Sequence, residues 1–387
     1  MQGLFKSMWK GIQEEESIFT VMSAMARQHD AINLAQGFPN FDPDPRLKDI
    51  FRSVVGDSVH QYAPMSGLAG LRTALANKIL DFYGVEWDPE QELTITAGAT
   101  QAISTVLQAC VQQGDEVIIL DPAYDSYRPG VLMAGARPVH VTMPYEHGLF
   151  FWNWDAVRDA ITSKTKLVII NQPHNPAGIF LSEDDWRELE EIVVKNDVLL
   201  LCDEVYEHMV YDGAAFISAC TRHAIRNHLF CVSSFGKTYH NTGWKVGYVM
   251  ACSDWMRRFR QVHQFTVFSV NSVAQHVLGQ FLPVVDAYQN LSGFYQQKRD
   301  YFIQAMEQTR FQMLPTKSTY FQLADYSQIS KEETDVDFCA RIIREYGVAA
   351  IPLSPFIHNM SNVPLIRFCF AKTDDVLMSA AQRLSSC

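Results

Sequence analysis

Short apolar runs alternate with longer amphipathic stretches from about residue 66 to residue 252. Leu93 to Thr96, Glu116 to Leu120, Val139 to Thr142, Leu167 to Ile170, Val198 to Cys202, Phe230 to Ser233 and Gly247 to Ala251 read as strands. Ala99 to Gln112, Trp154 to Ile161 and Glu183 to Asn196 read as helices. The strand runs are nearly continuous in apolar residues. That pattern predicts an α/β fold, with a mostly parallel sheet covered on both faces by helices. Residues 1–45 read as an arm ending in the loop Gln36-Gly37-Phe38-Pro39-Asn40-Phe41-Asp42-Pro43. A long helical stretch near Val270 to Gln308 is expected to lead into a smaller α+β region. The expected division is an arm with part of a small domain at 1–45, a large domain at 46–285 and a C-terminal small domain at 286–387.

Bulk properties narrow the function classes. A chain of 387 residues buries a large core and is expected to split into about two domains. A composition of 48% hydrophobic and 19% charged residues is that of an ordinary soluble globular protein. The formal net charge of -11 argues against nucleic acid or an anionic membrane as partner. No segment approaches an uninterrupted apolar twenty-mer, so no membrane span is expected. The eight cysteines form no C-x-x-C pair. They read as small buried hydrophobes in a reducing compartment. Met1 to Glu16 has mixed charge and no apolar run of signal length, so the cytoplasm is the expected location.

The segment Ser233 to Tyr248 carries the most chemistry. It sets Lys237 among small residues after an apolar run, with a second cation, Lys245, nearby. A lysine held beside a dry interior loses its proton readily and acts as a nucleophile toward carbonyl compounds. Gly236-Lys237-Thr238 also ends like a phosphate loop of the form G-x-x-x-x-G-K-[ST]. The first glycine of that motif falls on Cys231, and the acidic strand Val198 to Glu204 precedes the loop instead of following it. Both points weigh against a nucleotidase.

Other loops follow the expected strands. Such sheets bind ligands in the crevice at the carboxyl ends of their strands. Thr96-Ala97-Gly98-Ala99-Thr100-Gln101 opens a helix, whose free amides suit a phosphate; Thr100 reads equally well as a plain N-cap. Tyr124, in Asp121 to Tyr127, offers an aromatic face to a flat ring. Asn175 sits in the stiff polar loop Asn171 to Gly178. Asp203 closes an apolar strand, with Tyr206 three residues on. Such a carboxylate wants a cation, such as a protonated ring nitrogen, or else caps the following helix. Arg367, in Ile366 to Ala371, is the one arginine of an apolar strand. Its partner is either a substrate carboxylate or an acid from elsewhere in the fold.

These stretches occur in an order that resembles the class I/II, fold type I pyridoxal-phosphate aminotransferases over nearly the whole chain. The resemblance rests also on Asn33-Leu34-Ala35-Gln36-Gly37-Phe38-Pro39 and Gln61-Tyr62-Ala63-Pro64, and is strongest to the methionine and kynurenine/glutamine aminotransferase group. It implies a fold type I architecture, with a mostly parallel seven-stranded sheet and a smaller α+β domain. It implies pyridoxal phosphate as cofactor, no metal, a homodimer, and amino acid and 2-oxo acid substrates in a ping-pong reaction. By the same resemblance Lys237 is the Schiff-base lysine, Asp203 pairs with the ring nitrogen, and Asn175 and Tyr206 contact the phenolic oxygen. Tyr124 stacks on the ring. Ala99, Thr100, Ser234 and Lys245 hold the phosphate, with Tyr62 reaching it from a second subunit. Arg367 binds the α-carboxylate, helped by Asn175 and the Gly37 backbone. Lys245 stands where many relatives carry arginine, replacing a bidentate fork by a point charge.

The expected donors are methionine and aromatic amino acids, with glutamine, histidine and kynurenine as further candidates and aspartate poor. Phe19, Phe38, Tyr62, Phe265, Phe268 and Phe356 are expected to line the side-chain pocket. The alternatives are a β-lyase acting on cysteine conjugates through the same residues and a cofactor-binding module without turnover.

Overall fold

The computed structural model describes residues 16–358 and 363–387. Seven strands form the central sheet: β1 (Leu93–Thr96), β2 (Glu116–Asp121), β3 (Arg137–Thr142), β4 (Thr165–Asn171), β5 (Leu199–Asp203), β6 (Leu229–Ser234) and β7 (Gly247–Ala251). Their order across the sheet is β1-β7-β6-β5-β4-β2-β3. β7 alone runs opposite in direction to the other six. Each of the seven overlaps its predicted run.

The continuous apolar runs follow from burial on two faces. Val117, Ile119, Leu167, Ile169, Leu201, Phe230, Val232 and Val249 pack against the helices Ala99–Cys110 and Ser253–Thr266. The residues between them, such as Ile118, Val168, Ile170, Leu200 and Cys202, join the larger core on the other side. Successive side chains point to opposite faces, so both must be apolar. β3 lies at the edge and keeps exposed Arg137 and Thr142.

Helix ends agree with local chemistry. Ser182 and Asp185 form a capping box for Glu183–Asn196, whose first turn carries three acids and whose last carries Lys195. The expected long helix near Val270 to Gln308 is instead broken into Ser272–Phe281, one turn at Asp286–Gln289, and Leu291–Met306. Pro283 lies in the first break, where its missing N–H ends the backbone ladder. The expected N-terminal arm contains a helix, Ile18–Gln28, within its described part. A smaller antiparallel sheet orders Gln312–Met313, Phe321–Asp325, Leu365–Cys369 and Ile351–Pro352.

Register sets the site. Asn171 lies opposite Asp203, and Asp203 opposite Val232. Gly247, where antiparallel β7 begins, faces both Thr96 and Ser234. One edge of the sheet therefore gathers the ends of β1, β4, β5 and β6 and the start of β7.

Candidate active site

A cleft of about 160 Å³ opens at that edge. It is lined by Ala99, Thr100, Tyr124, Asn175, Asp203, Tyr206, Ser234, Lys237 and Lys245, together with Gly98, Tyr127, Asn171 and Thr242.

One end is a cradle for an anion. Gly98, with φ 79°, precedes the helix Ala99–Cys110, and no side chain caps its first amides. Thr100 therefore lies inside the first turn and is not the cap, which removes the simpler reading of that residue. Gly247 makes the close approach possible. A Cβ there would lie 2.7 Å from the Ser233 carbonyl oxygen and 2.9 Å from the Ala99 nitrogen. Lys245 adopts φ 55°. Its stem lies over Gly98, where a Cβ would meet Cδ and Cε at 3.2 Å. Ser234 caps the short turn Phe235–Thr238, its Oγ accepting from the Gly236 amide at 3.2 Å. Free helix amides, two hydroxyls and one ammonium converge here.

Lys237 occupies the middle of the cleft. Its Nζ donates to the Gly37 carbonyl at 2.9 Å and lies 5.5 and 5.8 Å from the ring centres of Tyr320 and Tyr206. Burial pushes its pKa down to about 8; nearby Arg367 and Lys245 act in the same sense, against Asp203. Asp203 is buried at the end of β5. Burial pushes its pKa up to about 6, although the Tyr127 hydroxyl donates to it at 2.8 Å and the Val205 amide at 3.3 Å. No helix follows Asp203 for it to cap. Burial also pushes the Tyr206 phenol up.

At the other end lies Arg367, only 1% exposed. Nη1 donates to Asn175 Oδ1 at 2.7 Å and Nη2 to the Ala35 carbonyl at 3.2 Å. Among the described residues Nε has no partner, and no carboxylate pairs with the guanidinium. The internal acid considered from sequence is therefore not found among them. The planar group lies 3.9 Å from the ring centre of Phe321, with Phe19 and Phe356 at 5.3 and 5.5 Å. With Asn175 Oδ1 accepting from Arg367, the Asn175 Nδ2 group remains a donor toward the cleft.

The cleft thus unites nine of the residues singled out from sequence, with Gly37 and Arg367 joined to them by hydrogen bonds. It does not include Tyr62, which is 80% exposed and packs edge-on against Phe268 at 5.1 Å. Phe265 is 87% exposed, Phe268 60% and Phe38 45%. Only Phe19 and Phe356 of the expected pocket reach Arg367 in this chain. The phosphate-loop reading of Gly236-Lys237-Thr238 fails as well. Cys231 is a buried position within β6, where no loop can wrap a triphosphate. Sequence reasoning missed Tyr127 as the donor to Asp203, Tyr320 as a donor to Gly37, and Phe321 beneath Arg367. Phe321 begins a distant strand and Tyr320 precedes it, and only tertiary structure brings them here.

The family model for class I and II aminotransferases matches residues 29–384. The chain belongs to the class I and II aminotransferases. It is 42% identical to the methionine aminotransferase of Escherichia coli K12 over 369 residues, 95% of each chain. It is 32% identical to human kynurenine–oxoglutarate transaminase 1, with 93% of each chain covered. The crystal structure of YbdL from Escherichia coli, for which a methionine aminotransferase function is identified, superposes with a TM-score of 0.93 at 41% identity, covering 97% of this chain and 98% of that one.

The protein is thus a fold type I aminotransferase that uses pyridoxal phosphate. The residues present fit that group. The glycine-lined cradle suits its phosphate, and buried Asp203, which pairs with no cation among the described residues, suits a protonated ring nitrogen. Tyr124 and Lys237 line the space between. No helix of the described residues is long and apolar enough to cross a membrane.

Proposed function

We propose that this aminotransferase moves the amino group of methionine and of aromatic amino acids to a 2-oxo acid in two half-reactions, as a cytoplasmic homodimer. One observation carries the reading: a buried guanidinium that no carboxylate of the described residues pairs with, ringed by Phe19, Phe321 and Phe356, beside a half-buried amine with a lowered pKa. The name of the relative from Escherichia coli points the same way.

Pyridoxal phosphate, when bound, supplies a carbonyl carbon that carries the amino group and a ring that takes up the charge left by the departing α-proton. Ala99, Thr100, Ser234 and Lys245 would hold its phosphate, Asp203 its ring nitrogen, Asn175 and Tyr206 its phenolic oxygen, with Tyr124 against its face. Arg367 presents its guanidinium to the α-carboxylate, with Asn175 fixing the orientation. Lys237 Nζ is the base that takes the α-proton and returns it. Its pKa near 8 leaves a usable neutral fraction at physiological pH.

Aromatic walls favour thioether and aromatic side chains. A second carboxylate would lie unpaired among them. Rapid mixing of the holoenzyme with methionine, phenylalanine or aspartate, followed by the cofactor's absorbance, tests this. Methionine and phenylalanine should convert the spectrum at least about tenfold faster than aspartate, the worth of one unpaired polar group. Aspartate reacting as fast as methionine would overturn the substrate reading.

A further inference from the structure

The segment that carries Arg367 also carries a second buried cation. Lys372 follows the strand Leu365–Cys369 and is 4% exposed. No carboxylate of the described residues pairs with it. Burying an ammonium without an acid is costly unless other acceptors replace water. Here the acceptors are backbone. Lys372 Nζ donates to the Phe38 carbonyl at 2.6 Å and the Gln36 carbonyl at 3.4 Å, and lies 4.8 Å from the Phe38 ring centre.

Between those carbonyls lies Gly37. Its own carbonyl accepts from Tyr320 Oη at 2.6 Å and from Lys237 Nζ at 2.9 Å. Phe38 N closes a tight turn onto the Gln36 carbonyl at 3.0 Å. The turn rests directly on Phe321, since a Cβ on Gly37 would lie 2.7 Å from Cζ of that ring. Phe321 is also the ring beneath Arg367. Residues 34–40 and 367–373 are laced together further. Cys369 N donates to the Leu34 carbonyl at 2.7 Å, and Thr373 N to Asn40 Oδ1 at 2.8 Å. Arg367 itself holds the Ala35 carbonyl.

We propose that Lys372 is a positioning residue for the substrate carboxylate: by gripping the carbonyls on either side of Gly37 it holds the Gln36–Phe38 turn against Phe321, Arg367 and the Lys237 amine. The inference rests on the reading of Arg367 as the carboxylate anchor. Without the ammonium, two carbonyls lose a charged donor and the turn loses its tie to the Arg367 segment. The site must then order the turn each time a carboxylate binds, and affinity falls by that cost. Lys372 does not line the cleft, so the loss belongs in binding, with the chemical step largely spared.

The test compares wild-type holoenzyme with Lys372→Met, which keeps the apolar stem. Calorimetric binding of 4-(methylthio)butanoate, a carboxylate that lacks the amino group and cannot react, should weaken about tenfold, as for a lost hydrogen bond to a charged group. The KM for methionine should rise by a similar factor while kcat stays within about threefold. Amide hydrogen exchange should quicken across residues 34–41 and not in the strand Phe321–Asp325. Unchanged binding and unchanged exchange at 34–41 would overturn the proposal. So would weaker binding with exchange quickened throughout the chain, which marks a purely structural lysine. Should the Met variant fail to fold, Lys372→Gln, which keeps a shorter donor, is measured in the same way, and the same outcomes support or overturn the proposal. Arg367→Lys separates this inference from the reading beneath it. If that variant binds the carboxylate as well as wild type, the anchor is misassigned. If it binds poorly while Lys372→Met binds normally, only the role of Lys372 falls.

Discussion

Lys237 shares a buried space with Arg367, Lys245 and Asp203, and the balance among them sets its proton affinity. Unfolded, its amine titrates near 10.5; in the fold, burial brings it to about 8. Between those values the unfolded chain holds the extra proton, so stability rises with pH across that window. Below it both states are protonated and the whole penalty remains; above it both are neutral and the penalty is gone. The shift corresponds to about 3 kcal/mol. Cofactor-free Lys237→Met should therefore be more stable than the cofactor-free wild type near pH 7 by up to about 3 kcal/mol. That advantage should disappear as pH rises past 10.5. Urea midpoints for both proteins across the range check this, and a pH-independent difference would contradict the lowered pKa.

Secondary-structure elements contribute through their ends. β7 runs against its neighbours, which brings Lys245 and Gly247 to the edge where the parallel strands finish. Gly247 lets β7 pass within contact of the helix that starts at Ala99. Gly247→Ala should push Ser233 and Ala99 apart, costing about 1–3 kcal/mol of stability. It should weaken cofactor affinity by more than tenfold while the far-ultraviolet circular dichroism stays unchanged. Equal affinity would show that the cradle tolerates the shift. The seven strands of the central sheet are legible in the sequence because a sheet buried on both faces writes its strands as apolar runs. The small sheet is not, because Gln312–Met313 and Ile351–Pro352 are too short to carry a period. Likewise Lys237, Asp203 and Arg367 stand out as polar groups in apolar contexts. Tyr127, Tyr320 and Lys372 act through partners distant in sequence, and no local pattern marks them.

At the scale of the whole molecule, one chain leaves large aromatic side chains exposed. Tyr62, Phe265 and Phe268 are among them, and Tyr62 packs edge-on against Phe268. The proposed homodimer would cover them and bring Tyr62 toward the phosphate cradle of the second chain. Sedimentation velocity at assay concentration should show a single dimeric species, and Tyr62→Phe should lower cofactor affinity without dissociating it. A fully active monomer would contradict the arrangement.

The central claim is that one lysine, Lys237, is the point at which cofactor and catalysis meet. Borohydride reduction of the holoenzyme, followed by digestion and mass mapping, tests it most directly. A single stable adduct is expected on the peptide containing Lys237, with none formed by Lys237→Ala, whose turnover should fall by about 1,000-fold or more because nucleophile and base vanish together. An adduct on any other lysine, or none at all, would contradict it.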